Sequence, residues 1–187
     1  MKRDYQELIS NYQGGDLDLS GCEIKNLELG HIEGSLNLSK CVIGKLSIGW
    51  VSNTLNMSGA EIKKIETPID ANSVNMSGAK IGKLPEHIWT DSLNMEKSSI
   101  EKLNTDIRTN TFNIRSTKIT SLPKNMKVHK LITDSKSAKH LSLISLKQCD
   151  ELVIDDSVYF EQRDLVENYN FSQIVSSNSE IEMVSTM

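Results

Sequence analysis

The chain contains 187 residues with a mass of 20.9 kDa, which is the size of one domain. Its net charge of −4 is uneven: residues 150–187 hold nine acidic residues and one basic residue and carry −8, which leaves +4 on residues 1–149. The chain has no apolar run of about 18 residues that could span a membrane, and its first residues are too polar for a signal peptide. We therefore predict a cytoplasmic protein.

Residues 1–14 are predicted to form an N-terminal helical cap. One apolar stripe at the helical spacing i, i+3, i+4 and i+7 supports the helix: Tyr5, Leu8, Ile9 and Tyr12. Two consecutive glycines, at 14 and 15, end it. Such a cap would cover the apolar side chains and open backbone groups at the end of a stack of strands.

Residues 15–128 consist of six copies of a 19-residue repeat that align without a gap. The copies begin at Gly15, Gly34, Asn53, Asn72, Asp91 and Asn110. Positions three, five, ten and thirteen of each copy are apolar, and positions three and five straddle one polar residue, as in a short strand with one buried face. Stacked coils need such regular volumes because each coil buries its side chains only against its neighbours. We predict a mainly β solenoid of parallel strands about 4.8 Å apart.

Position eight is small in every copy, which is typical of an inward site beside a tight turn. Glycines precede it in three copies, at Gly21, Gly59 and Gly78, and supply that turn. Cys22 and Cys41 occupy position eight on adjacent coils, where they could form a disulfide. In a reducing cytosol we predict two packed core thiols instead.

The repeat resembles a known family in the order L-x-L-x-x-(small)-x-I-x-x-L-P, seen in Val74–Pro85 and Phe112–Pro123. This order is similar to the short leucine-rich repeats of bacterial effector proteins. The chain departs from that family in two ways: Cys, Ala, Ser or Thr fill the column usually held by asparagine, and the period is one residue shorter. The resemblance implies an array that recognises proteins.

A right-handed β-helix of the pentapeptide type is the alternative fold. In the first two copies the predicted inward positions continue right round the coil, as Leu27, Leu29, Ile32 and Leu46, Ile48, Val51. The tetrapeptide LSGC at Leu19–Cys22 fits a five-residue unit. Copies three to six lose the five-residue spacing after position thirteen, which favours a solenoid of leucine-rich repeats over the β-helix.

Position four supplies a first candidate surface for binding a partner protein: Asn37, Asn56, Asn75, Asn94 and Asn113. These side chains would align on the exposed strand face, either as a rigid polar surface for a partner or as a ladder of bonds along the solenoid. Position six changes from serine to charge at Glu96 and Arg115, where we predict specificity for the partner.

Position twelve supplies a candidate polyanion-binding row: Lys45, Lys64, Lys83 and Lys102. Exposed lysines also keep solenoids soluble and discourage edge pairing, and few arginines or aromatic residues accompany these, so nucleic acid is the less favoured partner. Trp50 and Trp89 are predicted to lie in the core on the convex side rather than to form stacking platforms.

Beyond residue 128 the period slips. We predict an irregular seventh and a truncated eighth repeat over 129–157, where Leu152 and Ile154 restore the third and fifth columns. A C-terminal cap at 158–171 and a mobile tail at 172–187 follow. The sequence has no recognisable catalytic motif, metal-ligand cluster or cofactor-binding loop, and Cys149 has no catalytic partner beside it in such a motif.

These features predict a non-enzymatic protein–protein interaction module, acting as an inhibitor or adaptor on a host or cellular protein and, by analogy, phage-encoded. Two alternatives are nucleic-acid binding through the lysine row and mimicry of nucleic acid by the acidic C-terminal region. Two copies could also pair through open solenoid ends into a homodimer.

Overall fold

A computed structural model describes residues 5–124, 126–134, 137, 141 and 149–154, and the backbone of 174–176. The chain forms a β-solenoid of about seven turns, which confirms the predicted fold class. The predicted C-terminal cap at 158–171 lies outside the described residues. So does the predicted tail at 172–187, except for the strand at 174–176.

Helix α1 spans Tyr5–Ser10 and two parallel sheets follow. The long sheet contains, in spatial order, β1 (Leu17–Asp18), β3 (Leu36–Asn37), β5 (Val51–Asn56), β7 (Ile69–Asn75), β9 (His87–Asn94), β10 (Asp106–Asn113), β11 (Lys127–Thr133), β12 (Cys149–Ile154) and β13 (Ile174–Ser176). The short sheet contains β2 (Glu23–Leu29), β4 (Val42–Ile48), β6 (Glu61–Ile65) and β8 (Lys80–Ile81).

The register of the long sheet follows the repeat. Position three pairs with position three of the next coil from Leu17 through to Leu131, a spacing of 19 residues. Leu131 then pairs with Leu152 and Thr133 with Ile154. The extra residues of the seventh coil therefore lie between β11 and β12, and the third and fifth columns resume as predicted.

The core runs along the inside of the coils. Positions three, five, ten and thirteen are buried almost throughout, with the sole partly buried member at Leu84. Tyr5, Leu8, Ile9 and Tyr12 pack against the first coil from α1 and the turn after it. This packing confirms the predicted N-terminal cap, because the apolar stripe of α1 covers the end of the core.

The second side of the coils changes along the solenoid. The inward residues expected of a β-helix in the first two copies are buried, apart from the partly buried Leu29. The first four coils carry strands of both sheets, whereas residues 82–124 form no strand besides β9 and β10. Pro85 follows β8 in the fourth coil and Pro123 holds the same position in the sixth, and proline has no N–H to donate to a neighbouring strand.

The turn between the two sides places position seven of each coil in the left-handed region. Its φ angle is 71°, 63° and 64° at Gly21, Gly59 and Gly78, as predicted for a glycine turn. Lysine and serine adopt the same conformation in the remaining coils: Lys40 at 58°, Lys97 at 58° and Ser116 at 56°. A side chain in this conformation costs about 1–2 kcal/mol, so three coils hold local strain.

Lys40→Gly is therefore expected to raise the free energy of unfolding by about 0.5–1 kcal/mol, because relief of strain exceeds the entropy that glycine adds to the unfolded chain. Gly59→Ala is the matched reverse change, since an added Cβ has only the Lys40 side chain nearby, at 3.7 Å. It should destabilise by about 1 kcal/mol. Urea unfolding checks both signs, and a destabilising Lys40→Gly would contradict the account.

Asp134 joins the sixth and seventh coils. Its carboxylate accepts hydrogen bonds from the backbone N–H and hydroxyl of Ser116 and from the N–H of Ser137, the last at 2.7 Å. Burial alone would raise the pKa of this carboxyl, but the hydrogen bonds from Ser137 and Ser116 outweigh it and lower the pKa. The charged form is thus the one that the fold stabilises.

Asp134→Ala is expected to cost about 1–3 kcal/mol at neutral pH because it leaves the N–H groups of Ser116 and Ser137 without this acceptor. Because the pKa of the Asp134 carboxyl is lower in the folded than in the unfolded chain, its charge stabilises the fold at pH values above the unfolded-state pKa, near 4. This stabilisation is lost as the pH falls through the folded-state pKa. The difference in the free energy of unfolding between the parent protein and Asp134→Ala should therefore shrink as the pH falls. Urea titrations at pH 7 and below pH 4 measure it, and a pH-independent gap would refute the charged role.

Candidate interaction surface

The asparagine column lies on the outer side of the long sheet and is partly buried. Each Oδ1 accepts a hydrogen bond from the backbone N–H two residues later, at 3.0–3.1 Å. Asp18 makes the same contact with the N–H of Ser20 at 2.9 Å. Only one bond joins two of these asparagines, from Asn56 Nδ2 to Asn37 Oδ1 at 3.2 Å. The column therefore closes a tight turn in every coil, in addition to facing outward.

Asn75→Ala is expected to lower the free energy of unfolding by about 1 kcal/mol, because the N–H of Ser77 loses its partner at the turn. Asn75→Asp should keep the acceptor and most of the stability. Ser73→Ala is the matched control on the same strand, expected within about 0.5 kcal/mol of the parent. Equal effects of Asn75→Ala and Ser73→Ala in urea unfolding would show that the turn bond contributes nothing.

Glu96 and Arg115 lie together but bind each other. Arg115 Nη2 lies 3.0 Å from Glu96 Oε2, and Arg115 Nε donates to Asn113 Oδ1 at 3.2 Å. Lys97 Nζ lies 3.3 Å from Glu96 Oε1. The two predicted specificity residues thus form an internal network whose side chains are 24% and 35% exposed. A partner would have to compete with these bonds.

The lysine row is interleaved with acidic residues. Lys45 and Lys64 are register neighbours on the short sheet, and Lys64 Nζ donates to Glu66 Oε1 at 2.8 Å. This hydrogen bond holds the pKa of Glu66 below its ordinary value, and the charge of Lys45 acts in the same direction. On the same sheet Lys80 pairs with Glu61 at 2.6 Å. Lys83 and Lys102 continue the column on exposed positions beyond β6.

Both tryptophans lie on the surface of the solenoid. Trp50 is 50% exposed and Trp89 is 41% exposed, so the prediction that both lie in the core is wrong. Trp50 stacks on the ring of His31 at a centroid distance of 4.0 Å. The guanidinium carbon of Arg108 lies 5.4 Å from the ring centroid of Trp89, a cation–π contact.

A register shift places Trp89 outside. Val51 pairs with Ala71, twenty residues on, before the spacing returns to 19 at Thr54. Position eighteen is therefore buried before the shift, at Ile32 and Val51, and outward after it. Position seventeen changes in the opposite sense, from His31 and Trp50 to the buried Ile69, Ile88, Ile107 and Met126. This isoleucine column is the sequence signal that could have found the switch.

Trp89, Arg108 and Lys127 form one row across three strands of the long sheet, and we call them the Trp89 row. Arg108 is the register partner of Trp89 on one side and of Lys127 on the other. A groove of about 560 Å³ runs beside the row, lined among others by Asp91, Arg108, Asn110, Lys127, His129 and Asp150. Asn110 Nδ2 donates to Asp91 Oδ1 at 3.2 Å, and His129 Nδ1 lies 3.0 Å from Asp150 Oδ2.

Cys22, Cys41 and Cys149 are buried and form no disulfide, which confirms the prediction of packed thiols at Cys22 and Cys41. Cys41 Sγ donates to the carbonyl of Leu19 at 3.0 Å, and burial raises its pKa. Burial also raises the pKa of Cys149 to about 11. These two thiols are therefore protonated at neutral pH, which is unfavourable for a nucleophile.

Comparison of the chain with protein-family models, with curated proteins and with solved structures gives no significant match. Within the described part of the chain, no three His, Cys, Asp or Glu side chains are grouped so that they could hold a metal ion. No helix in that part is long and apolar enough to cross a membrane.

Proposed function

We propose that the chain is a non-enzymatic protein–protein interaction module that binds its partner on the outer face of the long sheet. The observation that carries this proposal is the exposed Trp89, which makes a cation–π contact with Arg108 on the outer face of the strands. Tryptophan and arginine are the residue types most enriched among the side chains that dominate protein–protein binding energy. An exposed tryptophan held by a neighbouring side chain has little rotamer freedom left to lose on binding.

The surroundings of the Trp89 row support the same proposal. Short polar side chains at position two, Ser73, Ser92 and Thr111, lie on the same strands and add no bulky group to the face. The strands beneath are in register and backed by a continuous core, so the surface is preorganised. The predicted partner residues of the asparagine column, with Glu96 and Arg115, belong to the same face and would form the polar rim around the row.

The proposal also includes the role of the module, its location and its origin. Likeness of the repeat to the leucine-rich repeats of bacterial effector proteins supports an inhibitor or adaptor that acts in the cytoplasm on a host or cellular protein and is carried by a phage. Nucleic-acid binding through the lysine row is the less favoured alternative, because Glu61 and Glu66 neutralise lysines beside it. Mimicry of nucleic acid by the acidic C-terminal region and pairing into a homodimer stay predictions.

The test is an affinity pull-down from nuclease-treated bacterial lysate, read by mass spectrometry. The intact protein is compared with two double variants. The long-sheet variant carries Trp89→Ala and Ser92→Arg, and the short-sheet variant carries Val42→Ala and Lys63→Ala on the exposed face of the short sheet. We expect one stoichiometric protein that only the long-sheet variant loses. Capture of the same proteins by all three would contradict the proposal, and loss of all bound material on nuclease treatment would favour the lysine row.

A further inference from the structure

We infer that the Trp89 row binds a carboxylate-rich segment of the partner protein, with Arg108 and Lys127 as its charge contacts and Trp89 as its packing surface. This inference rests on the proposed function and names the chemistry that the partner presents. It is carried by the charges of the row and by the side chains that line the groove beside it.

Arg108 and Lys127 are like charges on directly paired residues of adjacent strands, about 4.8 Å apart along the sheet. Such a pair is destabilising unless an anion lies between or above the two cations. The nearest carboxylate of Arg108 is that of Asp106, at 3.7 Å, which is longer than a hydrogen bond. Arg108 is 54% exposed and Lys127 is exposed, so both can reach an incoming carboxylate.

The lysine pair on the short sheet gives the contrast. Lys45 and Lys64 are also register neighbours, but Lys64 donates to Glu66 at 2.8 Å and Lys45 lies close enough to lower the pKa of the same carboxyl. The solenoid thus supplies a hydrogen-bonded anion to one pair of like charges, whereas the other has an ion pair at 3.7 Å, beyond hydrogen-bond length. The second arrangement is the one expected of a site that an external anion completes.

The groove favours discrete carboxylates over a phosphate backbone. Asp91 and Asp150 line the same groove as Arg108 and Lys127. A continuous row of phosphates would pass close to these two carboxylates and be repelled. A peptide can present single carboxylates to the two cations and neutral or basic side chains to the two acids. Trp89 adds an apolar surface for the peptide's backbone or side chains.

The experiment uses the full chain with Trp50→Phe, which leaves Trp89 as the only tryptophan and its fluorescence as the signal. The probes are a serine-rich peptide with two glutamates, called the Glu-Ser peptide, the same peptide with glutamine at those two positions, called the Gln-Ser peptide, and an oligothymidylate. We expect saturable binding of the Glu-Ser peptide only. Arg108→Gln with Lys127→Gln should weaken it at least about tenfold, as expected for loss of charge-assisted hydrogen bonds. Lys45→Gln with Lys83→Gln removes the same charge at a distant position and should change the affinity for the Glu-Ser peptide less than about twofold.

A charge-reversed variant, Arg108→Glu with Lys127→Glu, should transfer binding to a Lys-Ser peptide. The inference is overturned if the Glu-Ser peptide does not bind, if both Gln double variants lose equal affinity, or if oligothymidylate binds as tightly through the same row. Failure of the peptide while the long-sheet variant still loses its partner in the pull-down rejects only the carboxylate assignment. Failure of both experiments rejects the interaction surface itself.

Discussion

Phe112→Ala is expected to lower the free energy of unfolding by about 3–5 kcal/mol, the largest single effect in the core. Phe112 has no exposed surface and occupies position three of its coil, paired with Leu93 on one side and Leu131 on the other. Truncation to alanine removes the ring and leaves a cavity that two neighbouring coils share. Because packed coils relax only partly, the cost includes the cavity as well as the lost burial.

Urea unfolding measures this loss, and hydrogen exchange locates it. Each coil is stabilised mainly by its nearest neighbours, so protection should fall first in β10 and in the adjoining β9 and β11. Phe112→Leu is the matched control, since four of the six aligned copies carry leucine at this position, and it should cost less than about 1.5 kcal/mol. A loss below about 1 kcal/mol for Phe112→Ala would mean that the site collapses freely or is not buried.

Gly44→Ala is expected to destabilise the short sheet by about 3 kcal/mol, the upper end of the usual cost of overpacking. A Cβ at position 44 would lie 2.4 Å from the carbonyl oxygen of Lys25 in the preceding coil. Gly82 has the same relation to Lys63, at 2.6 Å. The atom in the way is backbone within a paired strand, so the coils themselves would have to move apart.

Gly30→Ala is the control for this change, because a Cβ at position 30 meets no atom within 4 Å. It should alter the free energy of unfolding by less than about 0.5 kcal/mol. Thermal unfolding followed by circular dichroism compares the two variants directly. If Gly44→Ala proved as harmless as Gly30→Ala, the close approach of the two coils at this position would be refuted.

If both proposals hold, the solenoid has two sides with different roles. The short sheet neutralises much of its own charge, as at Lys64 with Glu66 and Lys80 with Glu61. The long sheet exposes an aromatic side chain and two paired cations, Arg108 and Lys127, of which Arg108 lies 3.7 Å from the carboxylate of Asp106. Binding through the long sheet would then leave the short sheet free to keep the protein soluble.

The asparagine column could be predicted from the sequence in its position but not in its hydrogen bonds. Its regular spacing predicted an outward row, and the partly exposed side chains agree. Its bonds to the turn N–H groups depend on the left-handed residue at position seven, which is glycine in some coils and Lys40, Lys97 or Ser116 in others. A pattern of residue types does not reveal a backbone angle that three different residue types adopt.

The sequence by itself determined the 19-residue period, the inward columns, the parallel stacking and the N-terminal cap, because each follows from apolar side chains repeated at a fixed spacing. Only the tertiary structure decided which face carries Trp89, because one register shift at Val51 exchanges inside and outside at positions seventeen and eighteen of the later coils. It also decided that Arg108 and Lys127 are paired while Glu96 and Arg115 satisfy each other. Those contacts join residues of different coils, and their distances depend on how the coils are stacked.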